Sequence, residues 1–144
     1  MPDILHEFPI RAPVTRVFDG VSTQAGFDQW WTLRSAGKPT AGSAFALDFG
    51  PGFFWRARVV AVDAPRLFEL EFTEALPDWM DTRVRFDLTP IDKKRTRLLF
   101  THSGWAEASE HFRVSSYCWA MYLRILRRAL EYDEAVPYEK RLDA

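Results

Sequence analysis

The stretch FFWRARVVAVD, Phe53 to Asp63, decides how the rest of the chain is read. Taken with period two, Phe53, Trp55, Ala57, Val59 and Ala61 fall on one side of a strand, and Phe54, Arg56, Arg58, Val60 and Val62 on the other. One side is apolar and the other carries charge, as in a sheet with one wet face. The alternation continues from Ser43 to Ser103, broken by turn chemistry at Gly50-Pro51-Gly52, Asp63-Ala64-Pro65-Arg66, Leu76-Pro77-Asp78 and Pro90 to Lys94. It predicts an antiparallel meander of about five strands. The inward set is Phe45, Leu47, Phe49; Trp55, Ala57, Val59; Phe68, Leu70, Phe72; Val84, Phe86, Leu88; and Leu98, Phe100, His102.

The outward residues test the register without using hydrophobicity. Pairing Val62 with Leu67 sets Arg58 opposite Glu71, and pairing Thr73 with Asp81 sets Glu71 against Arg83 and Glu69 against Arg85. The following hairpin is expected to place Asp87 opposite Arg97. Opposite charges meet each time, each pair worth roughly 0.2–1 kcal/mol.

Before the meander, Ile4 to Arg11 alternates as a first strand, and Pro9, which has no N–H to give a ladder, suits an edge. Pro13 opens a helix with Val14, Val17, Phe18 and Val21 at helical spacing. Ser22 or Thr23 caps a second short helix, QAGFDQWW, which Gly26 weakens. After the meander, Ser109 to Tyr132 reads as a long amphipathic helix through Phe112, Ser116 or Tyr117, Trp119, Leu123, Leu126 and Leu130. The tail beyond Pro137 is expected to be loosely held.

At 144 residues the chain, 1–144, reads as one domain able to bury a core without staples. Nineteen Lys and Arg against twenty Asp and Glu give a net charge of -1, which disfavours nucleic acid and anionic membrane as partners. The lone Cys118 makes no internal disulfide, the start MPDILHEF lacks a signal-peptide pattern, and no apolar run is long enough for a membrane span, so a cytoplasmic location is expected. Aromatic residues make up 15 % of the chain, with 12 Phe and 6 Trp that need shelter.

A sheet with one apolar face needs a cover, and the terminal helix is the one long amphipathic element available. An α+β helix-grip fold follows: a curved antiparallel sheet of about six strands wrapped around that helix, with two short helices after the first strand. This order resembles the START/Bet v 1-like (SRPBCC) superfamily and, within it, the family named for its similarity to the activator of Hsp90 ATPase. The likeness rests on FPIRAPVTRVFDGVS (Phe8 to Ser22), FDQWW (Phe27 to Trp31), TRLLFTHSGW (Thr96 to Trp105) and CWAMYLRILRRALE (Cys118 to Glu131). The resemblance implies a cavity between helix and sheet that receives a hydrophobic small molecule. It also implies that the first strand pairs with the last, bringing His6 towards His102.

From these readings the candidate ligand-binding residues are Trp30, Trp31, Trp55, Phe72, Phe86, His102, Tyr117, Met121 and Tyr122, with Trp79 a further wall candidate. Tyr122 supplies the hydroxyl that would orient a ligand. Inward histidines can serve as base or ligand anchor, yet no orienting carboxylate or third ligand completes a catalytic or metal site, so no catalytic residue, metal or cofactor is assigned. Cys118, mid-helix, reads as a small buried hydrophobe, and Asp48 as a surface carboxylate. No phosphate-cradling loop, Gly-x-Ser-x-Gly elbow, Cys-x-x-Cys pair or His-Glu-x-x-His helix occurs. Binding of a hydrophobic or aromatic small molecule leads. A polyketide cyclase/dehydratase-like enzyme using His102 or Tyr122 is the alternative. A co-chaperone-like interaction domain anchored by Trp79 is a third reading, a chaperone partner is disfavoured, and a homodimer is left open.

Overall fold

The structure, a computed structural model, describes residues 1–143. The elements are β1 (Ile4–Ile10), α1 (Val14–Ser22), α2 (Gln24–Trp30), β2 (Arg34–Ala36), β3 (Ala44–Asp48), β4 (Phe54–Asp63), β5 (Leu67–Glu74), β6 (Arg83–Asp92), β7 (Arg95–Ser103) and α3 (Glu110–Tyr132). Short 3-10 helices cover Pro77–Trp79 and Tyr138–Asp143. The strands form one antiparallel sheet in the order β1-β7-β6-β5-β4-β3-β2, curved around α3 in an α+β helix-grip arrangement. The sheet has 7 strands because β2, a 3-residue edge strand on β3, is too short to show a period in sequence.

The meander presents its apolar face as the alternation requires. Every inward residue is buried except Phe49 and Trp55, which are half-buried. Two registers differ from expectation. Val62 pairs with Phe68 rather than Leu67, yet Arg58 still faces Glu71, because a bulge between Val59 and Ala61 absorbs the extra residue. That bulge also reverses the face of β4, so Val62, not Ala61, packs against the core. At the next hairpin Asp87 lies opposite Leu99 and Thr89 opposite Arg97, since the strands run on to a bulge near Pro90 before they turn. Asp87 instead binds Arg85 on its own strand, with Nε to Oδ2 at 2.8 Å. Glu71 accepts from Arg58 and Arg83, both at 3.1 Å, as the outward face predicts.

Helices α1 and α2 meet at a point where only glycine fits. A Cβ on Gly26 would stand 2.3 Å from the carbonyl oxygen of Asp19 and 2.7 Å from that of Gly20. The residue that weakens α2 by propensity is therefore the one that lets the two helices close. Thr23 caps α2 by accepting from the Gly26 N–H at 3.0 Å, and Ser109 caps α3 by accepting from Phe112 N–H at 3.2 Å. Along its second half α3 seals against the sheet and short helices through Leu123, Ile125, Leu126 and Leu130.

The tail is tied down rather than loose. Arg141, 5 % exposed, donates from Nη1 to the Thr32 carbonyl at 3.0 Å, from Nη2 to the Asp28 carbonyl at 2.6 Å and from Nε to the Val136 carbonyl at 3.2 Å. Tyr138 donates its hydroxyl to the Phe49 carbonyl at 2.7 Å. Paying for a buried guanidinium with three carbonyls fixes the segment against the β3 end of the sheet.

Candidate functional site

The first half of α3 borders a cavity of about 360 Å³. Helix α3 lines it with Val114, Ser115, Cys118, Trp119 and Tyr122, an i, i+3, i+4 face. The β3–β4 turn contributes Phe49 and Phe53, and β4 contributes Trp55. Trp31 comes from the end of α2, Trp79 from the β5–β6 loop, and Tyr138 and Leu142 from the tail. Phe53, 46 % exposed, and Leu142, 49 % exposed, reach solvent and mark the mouth. The turn that carries Phe53 depends on left-handed backbone at Gly50 (φ 106°) and Gly52 (φ 86°).

A buried hydrogen-bonded chain holds the inner wall. Trp119 Nε1–H donates to His102 Nδ1 at 3.1 Å, which leaves the proton on Nε2 to donate to Thr82 Oγ1 at 2.8 Å. Thr82 in turn donates to the Trp79 carbonyl at 2.7 Å. Burial drives the His102 pKa down to about 3, so the imidazole is neutral and both its nitrogens are committed. Trp79 Nε1–H donates to Ser115 Oγ at 3.2 Å, and its ring stacks on that of Trp119 with centroids 5.8 Å apart. The two indoles are thus fixed in position.

Three of the sequence candidates, Trp31, Trp55 and Tyr122, line the cavity, as does Trp79. Trp79 is buried, which removes the exposed anchor on which an interaction domain would depend. Phe72 lies one layer behind, 5.0 Å from Trp79 and 6.3 Å from Trp55 between ring centroids. Trp30 and Phe86 are core, the indole of Trp30 donating to the Gly20 carbonyl at 2.8 Å. His102 stands behind Trp79 and Trp119 and is not part of the lining. Tyr117 points to solvent, 68 % exposed, and Met121 is half-buried away from the lining. Strands β1 and β7 do pair, but His6 lies opposite Phe100, while Ile4 faces His102. His6 is half-buried, 3.4 Å from Ser116 Oγ, and faces a separate hollow of about 370 Å³ between β1 and another face of α3.

The cavity's polar groups are few. Tyr138 and Ser115 are engaged as described, and His111 Nδ1 lies 3.3 Å from Asp78 Oδ2. Cys118 is half-buried and burial raises its thiol pKa, so it is a protonated thiol rather than a thiolate. The Tyr122 hydroxyl forms no hydrogen bond among the described residues, and burial first, then the neighbouring Tyr138 and Cys118, pushes its pKa up to about 12. Among the described residues no cluster of three or more His, Cys, Asp or Glu suits a metal ion. No helix among them is long and apolar enough to cross a membrane.

A family model described as Activator of Hsp90 ATPase homolog 1-like protein matches residues 11–131. The chain belongs to that family. Among solved structures, this homolog 1-like chain is similar to the Aha1 dimer of Colwellia psychrerythraea, with 26 % identity and a TM-score of 0.84 over 94 % of this chain and 100 % of that one. It is similar to CalU16 of Micromonospora echinospora, with 20 % identity and a TM-score of 0.73 over 98 % of this chain and 81 % of that one. DynU16, a putative protein in the dynemicin biosynthetic locus, matches at 22 % identity and a TM-score of 0.77 over 94 % of this chain and 50 % of its own. The last two likenesses concern the fold. Among curated proteins no sequence match is found.

Proposed function

We propose that this member of the Activator of Hsp90 ATPase homolog 1-like family binds a hydrophobic, aromatic small molecule in the cavity at the first half of α3, without chemistry of its own. The observation that carries the reading is the wall itself: indole and phenyl rings from five separate parts of the chain converge on about 360 Å³ of open space, together with the unpartnered Tyr122 hydroxyl. A largely apolar pocket with a few placed polar groups, within the usual size range for small ligands, is the form such sites take.

An enzymatic use of the same cavity has less support. His102 does not line the cavity and would have to give up the bond from Trp119 to accept a proton on Nδ1, and a phenol held near pKa 12 is a poor base at neutral pH. The lone half-buried Cys118 accords with a reducing, cytoplasmic setting. Self-association accords with the dimer of the Colwellia protein, and light scattering on the purified chain tests it.

Native mass spectrometry of freshly purified protein tests the main reading, alongside titration with the neutral fluorophore N-phenyl-1-naphthylamine. The expected results are a recurring small-molecule adduct lost on denaturation, or saturable probe binding that Trp55→Ala weakens. A protein that carries no adduct and binds no probe would end it.

A further inference from the structure

The cavity has an electrostatic character that narrows its ligand. None of the lining residues is Asp, Glu, Lys or Arg. The one basic group in the wall, His111, already faces the carboxylate of Asp78 at 3.3 Å. The nearest buried cation, Arg141, does not line the cavity; it lines another hollow beside Asp28 and Gln29, and its guanidinium sits 5.4 Å from the centroid of the Tyr138 ring. Its bonds run to the carbonyls of Thr32, Asp28 and Val136. A carboxylate or ammonium entering the cavity would give up hydration and meet no Asp, Glu, Lys or Arg side chain in the wall to pair with; the charge of Arg141 is felt at Tyr122 and Tyr138, but its donors are committed to carbonyls.

Hydrogen bonding adds a direction. Ser115 Oγ is taken by the Trp79 indole and the Tyr138 hydroxyl by the Phe49 carbonyl. The Tyr122 hydroxyl donates to no described residue; the indole N–H groups of Trp31 and Trp55 and the hydroxyl proton of Ser115 are likewise without an acceptor among them, and Cys118, one helical turn from Tyr122, donates only weakly. Trp55, half-buried, and Phe53, 46 % exposed, offer rigid ring surface to a flat molecule, while Trp31, Trp79 and Trp119, at 2 %, 7 % and 1 % exposure, border the cavity from within the core.

Resting on the binding function above, we propose that the cavity selects uncharged, flat, conjugated molecules carrying a carbonyl or similar acceptor, and that Tyr122 holds this acceptor by donating its hydroxyl proton. Carboxylates of the same shape are rejected. The class is therefore aromatic ketones, quinones and their relatives rather than fatty or aromatic acids.

Three probes with one skeleton test the proposal: 2-acetonaphthone, 2-ethylnaphthalene and 2-naphthoate, titrated at pH 8 against the fluorescence of the cavity tryptophans. The ketone is expected to bind at least about tenfold more tightly than the naphthoate. Tyr122→Phe is expected to weaken the ketone by about three- to tenfold and to leave the hydrocarbon unchanged, as loss of one hydrogen bond requires. Circular dichroism confirms that the variant is folded, and the ketone-to-naphthoate ratio of the unaltered protein needs no variant. Equal or tighter binding of naphthoate overturns the selectivity while leaving the binding function intact. So does a Tyr122→Phe protein that loses ketone and hydrocarbon alike. If no probe binds, both readings fall together.

Discussion

Trp119 Nε1–H donates to His102 Nδ1 across 3.1 Å, which fixes the tautomer of the histidine and the tilt of the indole at once. The folded protein holds His102 neutral down to about pH 3, whereas the unfolded chain protonates it near 6.5. Between those values the unfolded state binds more protons, so stability rises with pH; His102 costs nothing above about 6.5 and becomes a growing penalty as pH falls towards about 3. From pH 6.5 to 5, before carboxylates titrate, the unfolding free energy obtained from urea titrations should fall more steeply for the natural protein than for His102→Gln, by up to about 1.4 kcal/mol per pH unit. Parallel pH profiles for the two proteins would contradict the assignment.

Thr82 stands next in that chain, accepting from His102 and donating to the Trp79 carbonyl. Thr82→Val keeps the shape and strands the buried Nε2–H. Stability should drop by about 1–3 kcal/mol, while Thr82→Ser, which restores the hydroxyl, recovers most of it. If chemical denaturation ranks the serine variant no better than the valine, the hydroxyl is not what matters.

Gly26→Ala separates propensity from packing. In an exposed helix the change would gain about 1 kcal/mol. Here the new Cβ meets the Asp19 carbonyl oxygen at 2.3 Å, so α1 and α2 must move apart. A net loss of about 2 kcal/mol or more is expected from overpacking. A stabilised alanine variant would mean that the two helices give way freely.

The faces of the sheet were legible because two independent signals agreed, period-two apolarity and opposite charges such as Arg58 and Glu71 on the wet side. Bulges were not legible: one extra residue near Val60 leaves no mark on composition, yet it turns Val62 inward. On α3 the stripe was clear but its two flanks were not distinguishable. Tyr117 and Met121 lie on one flank, Cys118 and Tyr122 on the other, and only the second faces the cavity. Which flank borders empty space depends on where the β3–β4 turn and the tail arrive, and that is set by topology rather than by local pattern. Phe49 could have been suspected from its place at the end of the inward row; Leu142, in a polar tail, gave no signal.

The tail supplies the last test. Tyr138 and Leu142 form part of the cavity wall, and their position depends on Arg141, whose bonds to the Asp28 and Thr32 carbonyls join the tail to α2 and the residues just after it, while its third bond, to the Val136 carbonyl, lies within the tail. Arg141→Ala leaves those carbonyls without their donor, for a loss of about 2 kcal/mol by the usual worth of hydrogen bonds to a charged group. The loss should be felt locally first, because the segment has few other anchors. Amide exchange across residues 136–143 should quicken in the ligand-free variant while the strands of the meander stay protected. A bound aromatic probe should also leave faster, since one wall now yields. Arg141→Lys, which keeps a donor but not the fork, should fall between the two proteins. Unchanged exchange in the tail of the alanine variant would show that Tyr138, through the Phe49 carbonyl, suffices to hold it.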